Sequence, residues 1–342
     1  PCTADRADAG GDCGPSHGLD RRRVDSLPMG KMLFIRGGAV GDFILTMPAI
    51  KLVREQLPDN EIEILGYPSI AELATVTGLA DRTRSIEDAR LATFFAPGAD
   101  LDEEWTDYFA SFNVVISYLY DPDGFFAGNL ERAGVKTLLD APFRPEENDP
   151  PVAAALQLAQ PLERFALFLD DPEMVLDYRS QVDSPLPESD ATRVAIHPGS
   201  GSPSKNWSFE SWIIVLKQIQ NEIPDVEFVV SSGEAEHEVI DQFLDAADTA
   251  GLSFTHLKGH SLAELGATYE AVDFYLGHDS GISHLAGSAG VEGLLLFGPT
   301  DPKVWAPATD RMQIVQSSDG QLGGIRVEEV VAELKQSKLF AP

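Results

Sequence analysis

Short apolar runs that stop at glycine- or hydroxyl-rich turns alternate with amphipathic stretches along most of this chain. Met32-Leu33-Phe34-Ile35 is a continuous apolar run closed by Gly37-Gly38, the pattern of a parallel strand buried on both faces. From Phe43 to Leu57, apolar side chains fall at Ile44, Met47, Ile50, Leu52, Val53 and Leu57 and the pattern stops at Pro58, which predicts a helix. Glu61 to Tyr67 reads as a second strand, Ser69 to Thr77 as a helix ending at Gly78, Val114 to Tyr118 as another buried strand, and Ala153 to Leu169 as a helix. Asp170 to Thr192 is rich in Pro, Asp and Ser and reads as a linker.

A second series follows the linker. Strands are expected at Val194 to Ile196, Glu227 to Val230, Phe274 to Leu276 and Gly293 to Phe297. Helices are expected at Ser208 to Ile223, Glu236 to Ala250, Ile282 to Ala289 and Val327 to Lys338. Strands alternating with helices imply two doubly wound α/β domains whose ligand sites lie at the carboxyl ends of the strands. No internal repeat at a period of roughly 20–50 residues is visible.

Length supports the two-domain reading, because 342 residues exceed the roughly 100–200 typical of one core. Residues 1–28 are rich in Gly, Asp, Arg and Ser and have no apolar core of a secretory signal, so they are expected to be a disordered leader. Both cysteines, Cys2 and Cys13, lie there, leaving the body without thiol chemistry, as suits a reducing cytoplasm. No apolar run approaches the ~20 residues of a membrane-spanning helix. Lys and Arg total 25 against 55 Asp and Glu, a formal charge of -30. That surplus argues against general nucleic-acid binding, where a basic surface supplies most of the affinity, and against strong attraction to anionic lipid.

Candidate chemistry is concentrated where strands end. Arg36-Gly37-Gly38-Ala39-Val40-Gly41-Asp42 follows the first strand; its glycines allow close backbone approach, and the helix that follows offers free N–H groups. The turn lacks the G-x-G-x-x-G order, and the second strand ends Leu65-Gly66-Tyr67 without an acidic residue, so a dinucleotide fingerprint fails at two points. Asp42 is either a carboxylate capping the helix or a general base. His197 to Trp207 follows another strand with Ser200, Gly201, Ser202 and Lys205; such a loop can nest an anion and supply a cation to phosphate, or it is a polar loop with an exposed lysine. Trp207 reads as a packing residue. Gly277-His278-Asp279-Ser280-Gly281-Ile282-Ser283-His284 opens a helix after a third strand, where Asp279 or Ser280 would cap. Neither metal ligation by His278 and His284 nor a nucleophilic serine triad is supported by spacing. Thr300 and Asp301, in a Gly-Pro/Asp-Pro turn, could touch a ligand, and one of Glu234, Glu236 and Glu238 could accept from a ribose.

RGGAVGDFILTMPAI, HPGSGSPSKNWSFESW, GHDSGISHLAGSAG and FGPTDPKVWAP, in this order, resemble the family 9 glycosyltransferases, the ADP-heptose–lipopolysaccharide heptosyltransferases and their relatives. The resemblance runs from about Met29 to the C-terminus. It implies a GT-B fold: two Rossmann-like doubly wound parallel-sheet domains facing a central cleft. Residues 29–175 would be the acceptor-side domain, 190–325 the nucleotide-sugar-binding domain, and 326–342 a helix returning toward the first domain. The family's G-D aspartate falls on Asp42, and Gly37, Gly38 and Gly41 form its acceptor-side loop. Phosphate contacts fall on Ser200, Gly201, Ser202 and Lys205 and on the helix start at Ser280 and Gly281. Asp279 and His284 fall on the donor side, and the ribose-binding glutamate falls on Glu236 or Glu238.

The resemblance implies metal- and cofactor-independent, inverting transfer of a sugar, heptose first, from a nucleoside-diphosphate donor such as ADP-heptose to a lipopolysaccharide-core or related glycan or glycolipid. Asp42 would be the base, and Lys205 would stabilise the leaving diphosphate. The setting would be cytoplasmic, with at most peripheral contact with the inner face of the inner membrane. A nucleotide-sugar-binding protein of the same fold without transferase activity is the alternative. A phosphorylated acceptor would favour a groove of Arg and Lys, which fits poorly with so acidic a chain.

Overall fold

The computed structural model describes residues 30–233 and 240–340. The first half runs β1 (Lys31–Arg36), α1 (Val40–Gln56), β2 (Glu61–Gly66), α2 (Pro68–Val76), β3 (Arg82–Ser85), α3 (Glu103–Ala110), β4 (Val114–Ser117), α4 (Phe125–Arg132), β5 (Leu138–Asp140) and α5 (Ala154–Ala159). The second half runs β6 (Arg193–Ile196), α6 (Phe209–Glu222), β7 (Glu227–Ser232), α7 (Ile240–Thr249), β8 (Phe254–Lys258), α8 (Leu262–Tyr269), β9 (Phe274–His278), α9 (Gly281–Ser288), β10 (Gly293–Phe297), α10 (Pro302–Trp305), β11 (Met312–Gln316) and α11 (Val327–Leu334).

The strands form two sheets, five strands in the order β3-β2-β1-β4-β5 and six in the order β11-β10-β9-β6-β7-β8. Every pairing is parallel, as the continuous apolar runs require for strands covered on both faces. In each sheet the order reverses beside the first strand of that half, at β1/β4 and at β6/β9. Crevices at such reversals are where open parallel sheets bind ligands. The expected GT-B architecture of two Rossmann-like units is therefore present.

The central strands and their helices lie where the apolar pattern puts them, with shifted ends. The helix expected from Phe43 begins earlier, at Val40. The helix expected over Ala153 to Leu169 is cut short: α5 ends at Ala159, and Gln160–Phe165 is a 3₁₀ turn. Pro161 has no N–H to continue the ladder. Glu236 and Glu238, with the start of the helix expected there, lie outside the described residues, as does the expected leader, residues 1–28. The final helix α11 does not cross back to the first half. Its Val330 and Leu334 are buried in the apolar cluster formed by α6 and the second sheet, which offers this short amphipathic segment an apolar seat next to its own strand β11.

A single apolar cluster spans both halves, joining Phe43, Met47 and Ile50 of α1 to Leu265 and Ala267 of α8 and to Leu285 and Ala286 of α9. Helix α1 is accordingly buried on nearly all sides, from Phe43 through Ile50 and again at Leu52 and Val53, which is why its sequence is apolar all round rather than striped. The linker adds Tyr178, fully buried, whose hydroxyl pairs with Ser288 Oγ at 2.9 Å and whose N–H donates to Glu270 Oε1 at 2.5 Å.

The closest meeting of the halves is backbone on backbone. A Cβ at Gly281, which opens α9, would lie 2.8 Å from the Gly41 nitrogen and 3.1 Å from Val40 Cβ. One at Gly41 would lie 3.2 Å from Gly281 Cα. Gly281→Ala is expected to lower unfolding free energy by ~1–3 kcal/mol through this clash, although alanine is the better helix former by about 1 kcal/mol. Urea unfolding reads the sign directly: a midpoint at or above wild type would mean that α1 and α9 part without cost.

Candidate active site

Three loops leave the carboxyl ends of central strands and converge on one cavity of about 220 Å³. From the loop after β1 and the start of α1 come Ala39, Gly41, Asp42 and Leu45. From the loop after β6 come Ser200, Gly201, Ser202 and Lys205, and from β9/α9 come Asp279, Ser280, Gly281 and His284, with Trp305 of α10 completing the wall. The structure thus brings together Asp42, Gly41, Ser200, Gly201, Ser202, Lys205, Asp279, Ser280, Gly281 and His284, far apart in sequence. Gly37 and Gly38 stand behind the lining. The starts of both α1 and α9 line this space, and the free N–H groups and positive dipole end of a helix start favour negative charge.

Asp42 is the third residue of α1, not its N-cap. Its Oδ2 reaches back to accept from the Ala39 N–H at 3.0 Å. Gly38 makes this possible: its φ is +95°, and a Cβ there would lie 2.7 Å from Asp42 Oδ2. Behind the carboxylate sits Arg36, 3% exposed. Its Nε and Nη2 donate to the Asp42 carbonyl at 3.3 Å, its Nη1 donates to the carbonyls of Phe143 at 2.8 Å and Tyr118 at 3.4 Å, and Nη2 lies 3.5 Å from Asp42 Oδ1. Burial lowers the Arg36 pKa and the Asp42 charge opposes that shift. Sequence reasoning assigned Arg36 no role; an arginine closing an otherwise apolar buried strand was the available signal.

On the opposite wall, Lys205 Nζ donates to Asp279 Oδ2 at 2.5 Å, and Thr300 Oγ1 donates to the same oxygen at 2.6 Å. The Asp279 side chain is 9% exposed and that of Lys205 29%, so the pair is anchored in protein at one end and open to the cavity at the other. Asp301 caps α10 by accepting from the Lys303 N–H at 2.9 Å and does not line the cavity. Ser280 is the N-cap of α9, accepting from the Ser283 N–H at 3.3 Å. The Ser200 hydroxyl is turned inward, 2.7 Å from Asn206 Oδ1 and 2.8 Å from the Ser202 carbonyl; it shapes the loop whose backbone faces the cavity. Trp305, overlooked in the sequence, donates from Nε1 to Glu147 Oε1 at 2.6 Å, tying the two halves beside the site.

The histidines divide. His278, buried, accepts at Nε2 from the Trp207 N–H at 2.9 Å and the Trp212 Nε1–H at 3.2 Å. Those bonds place its proton on Nδ1, and burial pushes its pKa down to about 3. Trp207 packs edge-on against Trp212, as expected of a core residue. His284 lines the cavity between Asp42, Asp279 and Lys205; burial lowers its pKa to about 4, with Asp279 and Asp42 opposing and Lys205 assisting. It is neutral at pH 7. Among the described residues, no three or more His, Cys, Asp or Glu side chains are grouped to hold a metal ion, and no helix is long and apolar enough to cross a membrane.

Two parallel Rossmann-like sheets, with a carboxylate from the first half and an ammonium from the second lining one cavity between them, make a GT-B α/β architecture. A family model, glycosyltransferase family 9 (heptosyltransferase), matches residues 137–330. The chain belongs to that family. Among solved structures it is similar to a family 9 glycosyltransferase from Veillonella parvula, at 14% identity over 93% of this chain and 99% of that one, with a TM-score of 0.73. It is similar to the E. coli heptosyltransferase WaaC with ADP, at 12% identity over 90% and 99% and a TM-score of 0.66. It is also similar to the E. coli ADP-heptose LPS heptosyltransferase II, at 16% identity over 90% and 98% and a TM-score of 0.65. At these identities the likeness is one of fold. No curated protein sequence matches the chain.

A neutral buried histidine makes stability depend on pH. With a folded pKa of about 4 against an ordinary 6.5, His284 takes up its proton more readily when unfolded. Its contribution is fully present above pH 6.5 and is lost as pH falls toward 4, at ~1.4 kcal/mol per pH unit. His284→Gln is expected to flatten the pH dependence of the urea-derived stability between pH 4.5 and 6 by about that slope. Parallel pH profiles in wild type and variant would remove His284 from the linkage.

Proposed function

We propose that this chain is an inverting glycosyltransferase that moves a sugar, heptose in the first place, from a nucleoside-diphosphate donor such as ADP-heptose to a hydroxyl of a lipopolysaccharide-core or related glycan. The observation that carries the reading is the meeting in one cavity of Asp42 from the first half with the Lys205–Asp279 pair from the second. Family membership and the fold shared with WaaC, whose structure holds ADP, support the donor class.

In this reading the acceptor lies on the Asp42 side and the donor on the Lys205 side. The acceptor oxygen forms a bond to the anomeric carbon while the bond from that carbon to the diphosphate oxygen breaks, and the hydroxyl proton passes to the Asp42 carboxylate. The Ala39 N–H and the buried Arg36 fix that carboxylate's orientation, so it is held for attack without reorganisation. The leaving diphosphate gains negative charge, met by the Lys205 ammonium and by the N–H groups at the start of α9. Neutral His284 between them adds no charge to compete with that transfer.

Asp42→Asn keeps an oxygen for the Ala39 N–H but loses the base. It is expected to lower turnover at least ~100-fold while leaving ADP affinity within about threefold, measured by product formation and by calorimetry. Equal turnover would remove Asp42 from the role of base. Lys205→Ala is expected to weaken ADP binding by ~10-fold or more; unchanged affinity in a variant with native circular dichroism would refute the phosphate contact. Saturable donor binding by the wild type without product from any acceptor would favour a binding protein of the same fold.

A further inference from the structure

Among the exposed aromatic side chains of the described residues, two touch each other beside the Asp42 loop. Tyr120 is 67% exposed and Phe143 46% exposed, and their rings touch, with centroids 4.7 Å apart and planes tilted by 57°. Tyr120 follows β4 and Phe143 follows β5, neighbouring strands of the first sheet. Both therefore sit at the carboxyl edge, next to the loop that carries Asp42. Arg36 ties these loops together, because one guanidinium holds the carbonyls of Tyr118, Phe143 and Asp42. Leu119 packs on the same turn: a Cβ at Gly37 would meet its Cδ2 at 3.5 Å. On the other flank of β1, Tyr67 directly follows β2 and is 41% exposed.

The charges on the two loops that carry this pair are mostly negative. The loop after β4 carries Asp121 and Asp123, and the loop after β5 carries Glu146, Glu147 and Asp149 against one exposed cation, Arg144. Asp121 is taken up by the N–H groups at the start of α4 and Glu147 by Trp305, which leaves Asp123, Glu146 and Asp149 as the exposed carboxylates of these loops. The remaining cation, Arg36, is buried and has spent its donors on carbonyls and on Asp42. A phosphorylated or carboxylated ring would meet loops with more carboxylates than cations, Arg144 being the one exposed cation on them. An uncharged sugar ring meets what it needs: its C–H face lies on an aromatic surface, and its hydroxyls find carboxylates and carbonyls as acceptors.

We propose that Tyr120 and Phe143 form a stacking platform for an uncharged sugar ring of the acceptor, so that this transferase takes a neutral glycan rather than a phosphorylated one. The proposal rests on the transferase reading for the placement of the acceptor and adds its chemical class.

The test uses immobilised neutral oligosaccharides and the same oligosaccharides bearing a phosphate monoester, probed with the full chain in saturating ADP. Neutral members should be retained and their phosphorylated counterparts should not. Retention should weaken at least ~10-fold in Tyr120→Ala/Phe143→Ala and persist in Tyr120→Phe/Phe143→Tyr, which keeps both rings. Native circular dichroism of the alanine pair, with ADP affinity unchanged, separates loss of the platform from loss of the fold. Failure to retain any neutral glycan, retention confined to the phosphorylated ones, or undiminished retention by the alanine pair would overturn the proposal. So would a change of oligomeric state in the alanine pair with glycan retention intact, which would assign the patch to a second copy of the chain. ADP affinity by calorimetry on the same preparations judges the donor reading separately.

Discussion

The contact on which the rest of the molecule depends is the approach of two helix starts, α1 at Gly41 and α9 at Gly281, so close that neither position has room for a side chain. Each helix begins at the carboxyl end of a central strand, β1 in one sheet and β9 in the other. Bringing the two starts together therefore brings together two crevices that separate parallel sheets would each have formed alone. It also sums two positive dipole ends in one small volume. The apolar cluster running from α1 across to α8 and α9 supplies the burial that holds the junction against the repulsion of like dipole ends.

The two walls of the cavity solve the problem of a buried charge in different ways. Asp42 is held from behind: the buried Arg36 bonds its carbonyl and approaches its carboxylate, while two further loops accept from the same guanidinium. A buried arginine with all its directions used is costly to remove, because the carbonyls left behind would be unsatisfied. Asp279 is held from in front, by Lys205 and Thr300 on one oxygen. The first arrangement keeps a carboxylate free on the cavity side. The second keeps a cation there.

Legibility in the sequence followed burial. Strands covered on both faces, β1, β4, β6, β9 and β10, are apolar runs that need no context to be recognised. The strands that the pattern does not disclose are β3, β5, β8 and β11, and all four are sheet edges. Arg82–Ser85 has no apolar residue at all, since an edge strand is half solvated and often protected by charge. The site loops were legible because three glycine- and hydroxyl-rich turns each directly follow a buried strand, even though Ser200 and Ser280 bond within their own loops. The residues that position them were not. Arg36 and Thr300 act through contacts made across the fold, and the partnership of Trp305 with Glu147 spans 158 residues. Pro161, which ends α5, was visible but outweighed by the apolar spacing around it.

If a chain of formal charge -30 is to bind the diphosphate of the proposed donor, it must do so by local geometry, because beyond ~8–10 Å salt screens the surface charge. Lys205 would be a poor choice if it were free to follow the surrounding carboxylates on its flexible stem. The bond to Asp279 removes that freedom. An ammonium has three donors, and among the described residues one is committed to Asp279 Oδ2, leaving two on a side chain that lines the cavity. The carboxylate costs some of the lysine's net attraction for phosphate and returns it as orientation, since less side-chain entropy remains to be lost when an anion arrives. Thr300 shares that carboxylate oxygen, so the aspartate is itself fixed by a loop from the neighbouring strand β10. The cation that an acidic protein can least afford to misplace is thus positioned by an acid, and the proposed anion site would be built from backbone, one lysine and the carboxylate that steadies it.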